Sequence, residues 1–136
     1  MALSSAHPLA RNASGRLRSL NLRALAAESF ILVRRPGAPG MYADLVAACR
    51  TAGFVPRVAH EVESMLTNLL LVAAGVGVTV VPASMQGMNG GAIAYFRLRS
   101  PTPLAAPMTL LSRHDTRNPA VGQFLALARK KRPNSP

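Results

Sequence analysis

The chain has 136 residues, 49% of them hydrophobic, which fits one ordinary domain or part of a larger one and excludes general disorder. Aromatics make up only 4%, with no Trp, which is poor material for stacking the bases of single-stranded nucleic acid. The formal charge is +11, so a polyanionic partner has to be weighed against solvated basic tails.

Residues 1–27 mix polar, small and basic residues with scattered leucines, and read as an irregular connector. Leu3 and Leu9 suit a short strand and its exit. Leu17, Leu20, Leu22 and Leu25 suit the edge of a core, with one helical turn near Leu22 to Ala27. Arg11, Arg16, Arg18 and Arg23 all precede the first acid, Glu28, and Arg129, Lys130, Lys131 and Arg132 close the chain. Half of the basic residues therefore sit in two terminal segments, which favours solvated tails over a dedicated nucleic-acid surface. The N-terminus has no apolar run long enough for a secretory signal; its acid-free, Arg-rich composition also describes an organellar transit peptide.

Phe30 to Val33 is a β-prone run ended by Arg34-Arg35-Pro36-Gly37. Tyr42, Leu45, Val46 and Cys49 fall on one helical face, with Gly53 at the stop and Phe54 able to fold back on it. Cys49 is the single cysteine, so no internal disulfide forms and a reducing, cytoplasmic compartment is expected. Pro56 to Val62 reads as a second strand. Ser64 is an N-cap for a helix carrying Met65, Leu66, Leu69, Leu70, Val72 and Ala73. That helix is apolar on most sides, so it is expected to be buried. Gly75 supplies a left-handed C-terminal turn, and Gly77 permits close approach of backbone to backbone. Val78 to Val81 suits a strand covered on both faces, and Pro82 ends it.

Ser64 to Phe96 holds no charged residue, which raises a membrane span; Gly75, Gly77, Pro82 and the glycines from Gly87 to Gly91 break it into pieces too short for one. Ala92 to Leu98 and Met108 to Ser112 read as further strands. Asn118-Pro119 opens a last helix with Val121, Phe124, Leu125 and Ala128 on its apolar face. Strands alternating with helices in this way predict an α/β domain with a largely parallel sheet.

Catalytic chemistry finds little support. No Gly-x-Ser-x-Gly elbow is present, and His114 and Asp115 are merely adjacent in a loop. Cys49, on an apolar helix face, reads as a buried structural thiol. Three scattered His and one Cys offer no metal-ligand spacing. Gly75-Val76-Gly77 precedes a strand instead of following one, unlike a dinucleotide fingerprint. No enzyme activity, metal or cofactor is expected, and no helix-turn-helix emerges to read DNA sequence.

Several segments in one order resemble the second half of the effector-binding domain of LysR-type bacterial transcription regulators. His7-Pro8-Leu9-Ala10 resembles the motif that leaves its crossover strand, and Glu28 to Arg34 the first strand of its second subdomain, where Pro is more usual than Ser29. Gly40-Met41-Tyr42 and Cys49 to Pro56 match the next helix and turn. Leu71 to Ser84, Leu-Val-Ala-Ala-Gly-Val-Gly-Val-Thr-Val-Val-Pro-Ala-Ser, is the most specific match. The resemblance implies a periplasmic-binding-protein-like (type 2) α/β fold, incomplete here because the winged helix-turn-helix and the first half of the effector domain have no counterpart in these residues. It implies a division into a connector over 1–27, a second subdomain over 28–104, a return strand and helix over 105–130, and a tail over 131–136.

In that fold a small effector, a carboxylate or an aromatic compound, lies in a cleft. Ligands of open α/β sheets bind beyond the carboxyl ends of strands, near helix N-termini. That argument points to Val33 and Arg34, Ser64 and Met65, and Val81 and Pro82 as effector-binding residues, with Arg34 suited to a carboxylate. Each has a structural alternative: Val81 and Pro82 end a strand, Ser64 caps a helix, and Arg34 stands in solvent. The expected partners are the effector and further regulator copies, as a homo-oligomer or paired with a full-length regulator, with no sequence-specific DNA contact and no membrane. The other readings are a solute-binding protein fragment of the same fold and a basic nucleic-acid-binding protein acting through its Arg-rich ends.

Overall fold

The computed structural model describes residues 1–11, 19–34, 39–106, 110–115 and 118–130. Its centre is β3, Ser29–Val33, a strand with almost no polar side chain. Alternate residues of a strand point to opposite faces, so such a run needs apolar cover on both. Phe30 and Leu32 pack towards Leu45, Ala48 and Cys49 of α2, Pro39–Thr51. Ile31 packs the other way, with Leu69 and Val72 of α3, Met65–Ala73. One helix therefore covers each face of the sheet, the architecture of an α/β domain.

The strand β4, Arg57–Val62, runs parallel to β3, from Ser29↔Arg57 to Val33↔Val62, with a register shift between Phe30 and Ile31. On its other side, Phe30 bridges Val78 in parallel, and Thr79 bridges Ala2 antiparallel. Ala2 belongs to β1, Ala2–Ser4, which pairs antiparallel with β5, Ile93–Tyr95. The spatial order is thus β4, β3, the Val78–Thr79 segment, β1, β5. A separate parallel pair joins β2, Ser19–Asn21, to β6, Arg97–Arg99.

Both main helices stop as their glycines require. After α2 the Gly53 N–H donates to Arg50 O (3.0 Å) and the Phe54 N–H to Cys49 O (3.0 Å), with Gly53 at φ 88°. After α3 the same pair of bonds runs from Gly75 to Val72 and from Val76 to Leu71, with Gly75 at φ 77°. This is the paired closure that a left-handed residue makes possible. Phe54 folds back so that its ring lies 6.4 Å from that of Phe30.

Several expectations change. The segment from Val78 to Val81 sits between neighbours on both sides, but only Val78 and Thr79 form bridges, because β1 beside it is three residues long. The sheet is mixed instead of largely parallel, because β1 runs against its neighbours. The strand expected over Ala92 to Leu98 is split in two at Phe96, whose N–H donates to Met1 O (2.9 Å) while the next residues turn to β2. Residues 1–11 and 19–27 are more ordered than an irregular connector: Leu3, Leu22 and Leu25 are fully buried, and α1, Pro8–Arg11, follows β1. Leu17 lies outside the described residues.

The chain divides into two units, Met1–Ala106 and Pro107–Pro136. In the second, α4 spans Pro119–Lys130 and is capped by Asn118, whose Oδ1 accepts from the Ala120 N–H (3.0 Å). No strand forms at residues 110–112, which are exposed and have no ladder partner among the described residues, while 107–109 lie outside them. No described helix is long and apolar enough to cross a membrane.

Candidate functional site

A shallow depression with about 20 Å³ of enclosed space, open to solvent, lies in the first unit at the carboxyl end of β3. Leu32 and Val33 supply one side, Met41, Tyr42 and Leu45 of α2 a second, and Met65, Thr79 and Val80 the remainder. Both α2 and α3 begin beside it, so the positive ends of two helices converge on one place. The geometry follows from connectivity. Each parallel strand delivers the chain to this end of the sheet, and the helix that returns must start there.

The lining is mostly apolar and carries no charged side chain. Its two hydroxyls are already engaged: Tyr42 donates to Glu61 Oε1 (3.0 Å), and Thr79 Oγ1 donates to Ile31 O (2.7 Å). Behind Thr79, the buried Asn68 Nδ2 donates to Thr79 Oγ1 (2.8 Å) and to Ile31 O (3.2 Å). Asn68 Oδ1 is buried without a hydrogen-bond partner among the described residues. This network ties α3 to β3 and the Thr79 segment in a setting where a lost bond is costly. It fixes the floor of the depression.

Of the six residues proposed from sequence, the structure places Val33 and Met65 in the lining. Ser64 stands beside Met65, where its Oγ accepts from the Thr67 N–H (3.1 Å) and caps α3. Arg34 is exposed next to Val33, and its backbone N–H donates to Val62 O (2.7 Å). Val81 is buried with Leu69, Val72 and Ile31 beneath α3 and does not line the depression. Pro82 is half-buried, and its carbonyl accepts from the Met85 N–H (3.0 Å). Sequence reasoning missed Met41, Tyr42, Leu45, Thr79 and Val80 as lining. Thr79 did carry a signal, as the one hydroxyl in Val-Thr-Val-Val, and Asn68 carried another, as a polar residue inside an apolar helix.

Cys49 is fully buried on the α2 side of the sheet, and burial pushes its thiol up to about 11. That is the state of an inert core thiol. No group of three or more potential metal ligands occurs among the described residues.

The LysR substrate binding domain family matches residues 1–133. The transcriptional regulator TfdS of Cupriavidus pinatubonensis is 35% identical over 106 residues, covering 78% of this chain and 36% of that regulator. The effector-binding domain of BenM, solved with its effector benzoate, superposes over 98% of this chain and 61% of that one, with a TM-score of 0.62 at 21% identity. The effector-binding domain of QuiR, solved with shikimate, covers 75% of this chain and 45% of that one, with a TM-score of 0.59 at 17% identity. The chain therefore spans little more than a third of the length of the first curated relative and about half that of the solved domains. It belongs to the LysR substrate-binding domain family of bacterial transcription regulators, with the periplasmic-binding-protein-like α/β fold of its effector-binding domains.

Proposed function

We propose that this chain forms one wall of the effector cleft of a LysR-type regulator, acting in the cytoplasm as a sensor and not as an enzyme. The observation that carries the reading is the depression between the first turns of α2 and α3 at the carboxyl end of β3. Its apolar lining suits the ring of an aromatic or alicyclic compound. The two helix N-termini and the exposed Arg34 at its edge suit a carboxylate. Benzoate and shikimate, which accompany the two related domains, both combine a six-membered ring with a carboxylate. Val33, Arg34, Ser64 and Met65 are the residues assigned to effector contact; Val81 and Pro82 act behind them by holding the strand end that carries Thr79 and Val80.

One wall gives less contact than a closed cleft, so affinity for a small carboxylate is weak. Residues 105–130 supply the return to the opposite subdomain. The chain associates with other copies or with a full-length regulator, and the full-length regulator brings that second wall. The test is saturation-transfer NMR with benzoate and shikimate on the whole chain. Binding in the millimolar range is expected, abolished in Met65→Glu and retained in Leu66→Glu, whose side chain is exposed outside the lining. Equal binding by both variants, or a saturable micromolar site in the unaltered chain, overturns the reading.

A further inference from the structure

The first unit carries acids at one end and a group of arginines at the other, with Arg34 standing among the acids at the edge of the depression and Glu28 among the arginines. Asp44 lies in the first half of α2, and Glu61 and Glu63 stand at the carboxyl end of β4 and just beyond it, the end where the depression opens. Arginines gather at the opposite end. Arg57 opens β4, and its Nη2 donates to Ser29 Oγ (2.6 Å) at the start of β3. Arg50 is in the last turn of α2, and its carbonyl accepts from the Gly53 N–H. The Arg23 guanidinium lies over the same turn, with Nη1 3.7 Å from where a Cβ on Gly53 would stand. The Arg23 N–H donates to Asn21 Oδ1 (3.0 Å), and Asn21 pairs with Arg99 across β2 and β6. Arg97, two residues before Arg99, points to the same side of β6.

All five arginines are exposed, and among the described residues no carboxylate lies within ion-pair distance of any of them. Glu28, the acid at this end, is engaged by His7 Nε2 at 3.2 Å. Arg23 and Arg50 stand at the negative end of α2, which accounts for their placement but leaves their guanidinium groups free for a further partner.

We propose that this arginine surface, on the side of the first unit away from the depression, holds the phosphate backbone of duplex nucleic acid without reading its sequence. The cluster is all arginine, whose planar fork meets phosphate with two parallel bonds. Ser19 and Asn21 on β2 add the neutral donors that accompany such contacts. Among the described residues no exposed aromatic side chain stands with them, which favours a duplex over single strands. Among the described residues, Val55, 72% exposed and two residues before Arg57, is the large apolar side chain exposed beside these arginines, too little to enter a bilayer.

The test measures binding of the whole chain to a short random-sequence DNA duplex by fluorescence anisotropy, between about 50 and 200 mM salt. The variant R23Q/R50Q/R97Q/R99Q should flatten the dependence of log affinity on log salt by about one unit for each arginine removed. At the lowest salt it should bind at least about tenfold more weakly. Its circular dichroism and melting point should match the unaltered chain; if it does not fold, R97Q/R99Q, on exposed strand positions, is read by the same rule with a change of about two units. The variant R129Q/K130Q/K131Q/R132Q should leave that share of the slope in place. The proposal is overturned by an unchanged slope in the folded surface variant, by loss of the whole slope in the tail variant, or by equal retention on anionic lipid vesicles.

Discussion

Gly75 and Gly77 stand two residues apart and answer to different constraints. Gly75 holds φ at 77° with nothing within 4 Å of where a Cβ would be. Gly77 has ordinary backbone angles, but a Cβ there would lie 2.5 Å from Ser29 O and 3.1 Å from Ile31 Cγ1. That carbonyl also accepts from the Val78 N–H (2.8 Å), so it cannot retreat without breaking the bridge to β3. Gly77→Ala should therefore cost about 2–3 kcal/mol through overpacking, and Gly75→Ala about 1 kcal/mol through backbone conformation alone. Urea unfolding of the two variants checks the order; an equal or inverted cost contradicts it. Cys49 gives a second prediction at this scale. Its folded thiol titrates at about 11, above the ordinary 9.0. The unfolded chain loses this proton first, so stability is unaffected below about pH 9 and falls as pH rises from 9 towards 11. A thiol reagent at pH 8 should leave the native chain unmodified and label it fully in denaturant; rapid labelling of the native form contradicts the burial.

At the scale of elements, the helices were legible because their signals are local. Ser64, Gly53, Gly75 and Asn118 mark ends within a turn of themselves, and each end falls there. The strands were less legible. β1 and β2 are three residues each, and their partners at Thr79, Tyr95 and Arg97 lie more than seventy residues away, so no periodicity marks them. The strand absent at 110–112 has the same cause: local β propensity forms no strand without a ladder partner. Leu111 is 86% exposed there, and Phe124 and Leu127 of α4 are more than half exposed. A chain ending at Ala106 should keep its far-ultraviolet circular dichroism per residue for the first unit and bind less of an apolar dye. An unchanged dye signal and unchanged solution mass would contradict that account.

For the whole molecule, the sheet decides where the depression forms. The connection β3–α2–β4–α3 brings helix N-termini to one end of it, and the neighbouring Val78–Thr79 segment adds the remaining wall. That end could be read from sequence, because it follows from strand–helix alternation. Val33 and Met65 were legible as residues at element junctions. Thr79 was not, because its place at the opening depends on the pairing with β1, which the sequence does not announce. Effector binding at this end, as proposed, is read by amide chemical-shift mapping. On titration with small aromatic carboxylates, shifts should concentrate at residues 32–34, 41–42, 64–66 and 79–80 and stay unsaturated into the millimolar range. Shifts confined to the arginine-bearing end, or no shifts at any of these amides, would contradict it.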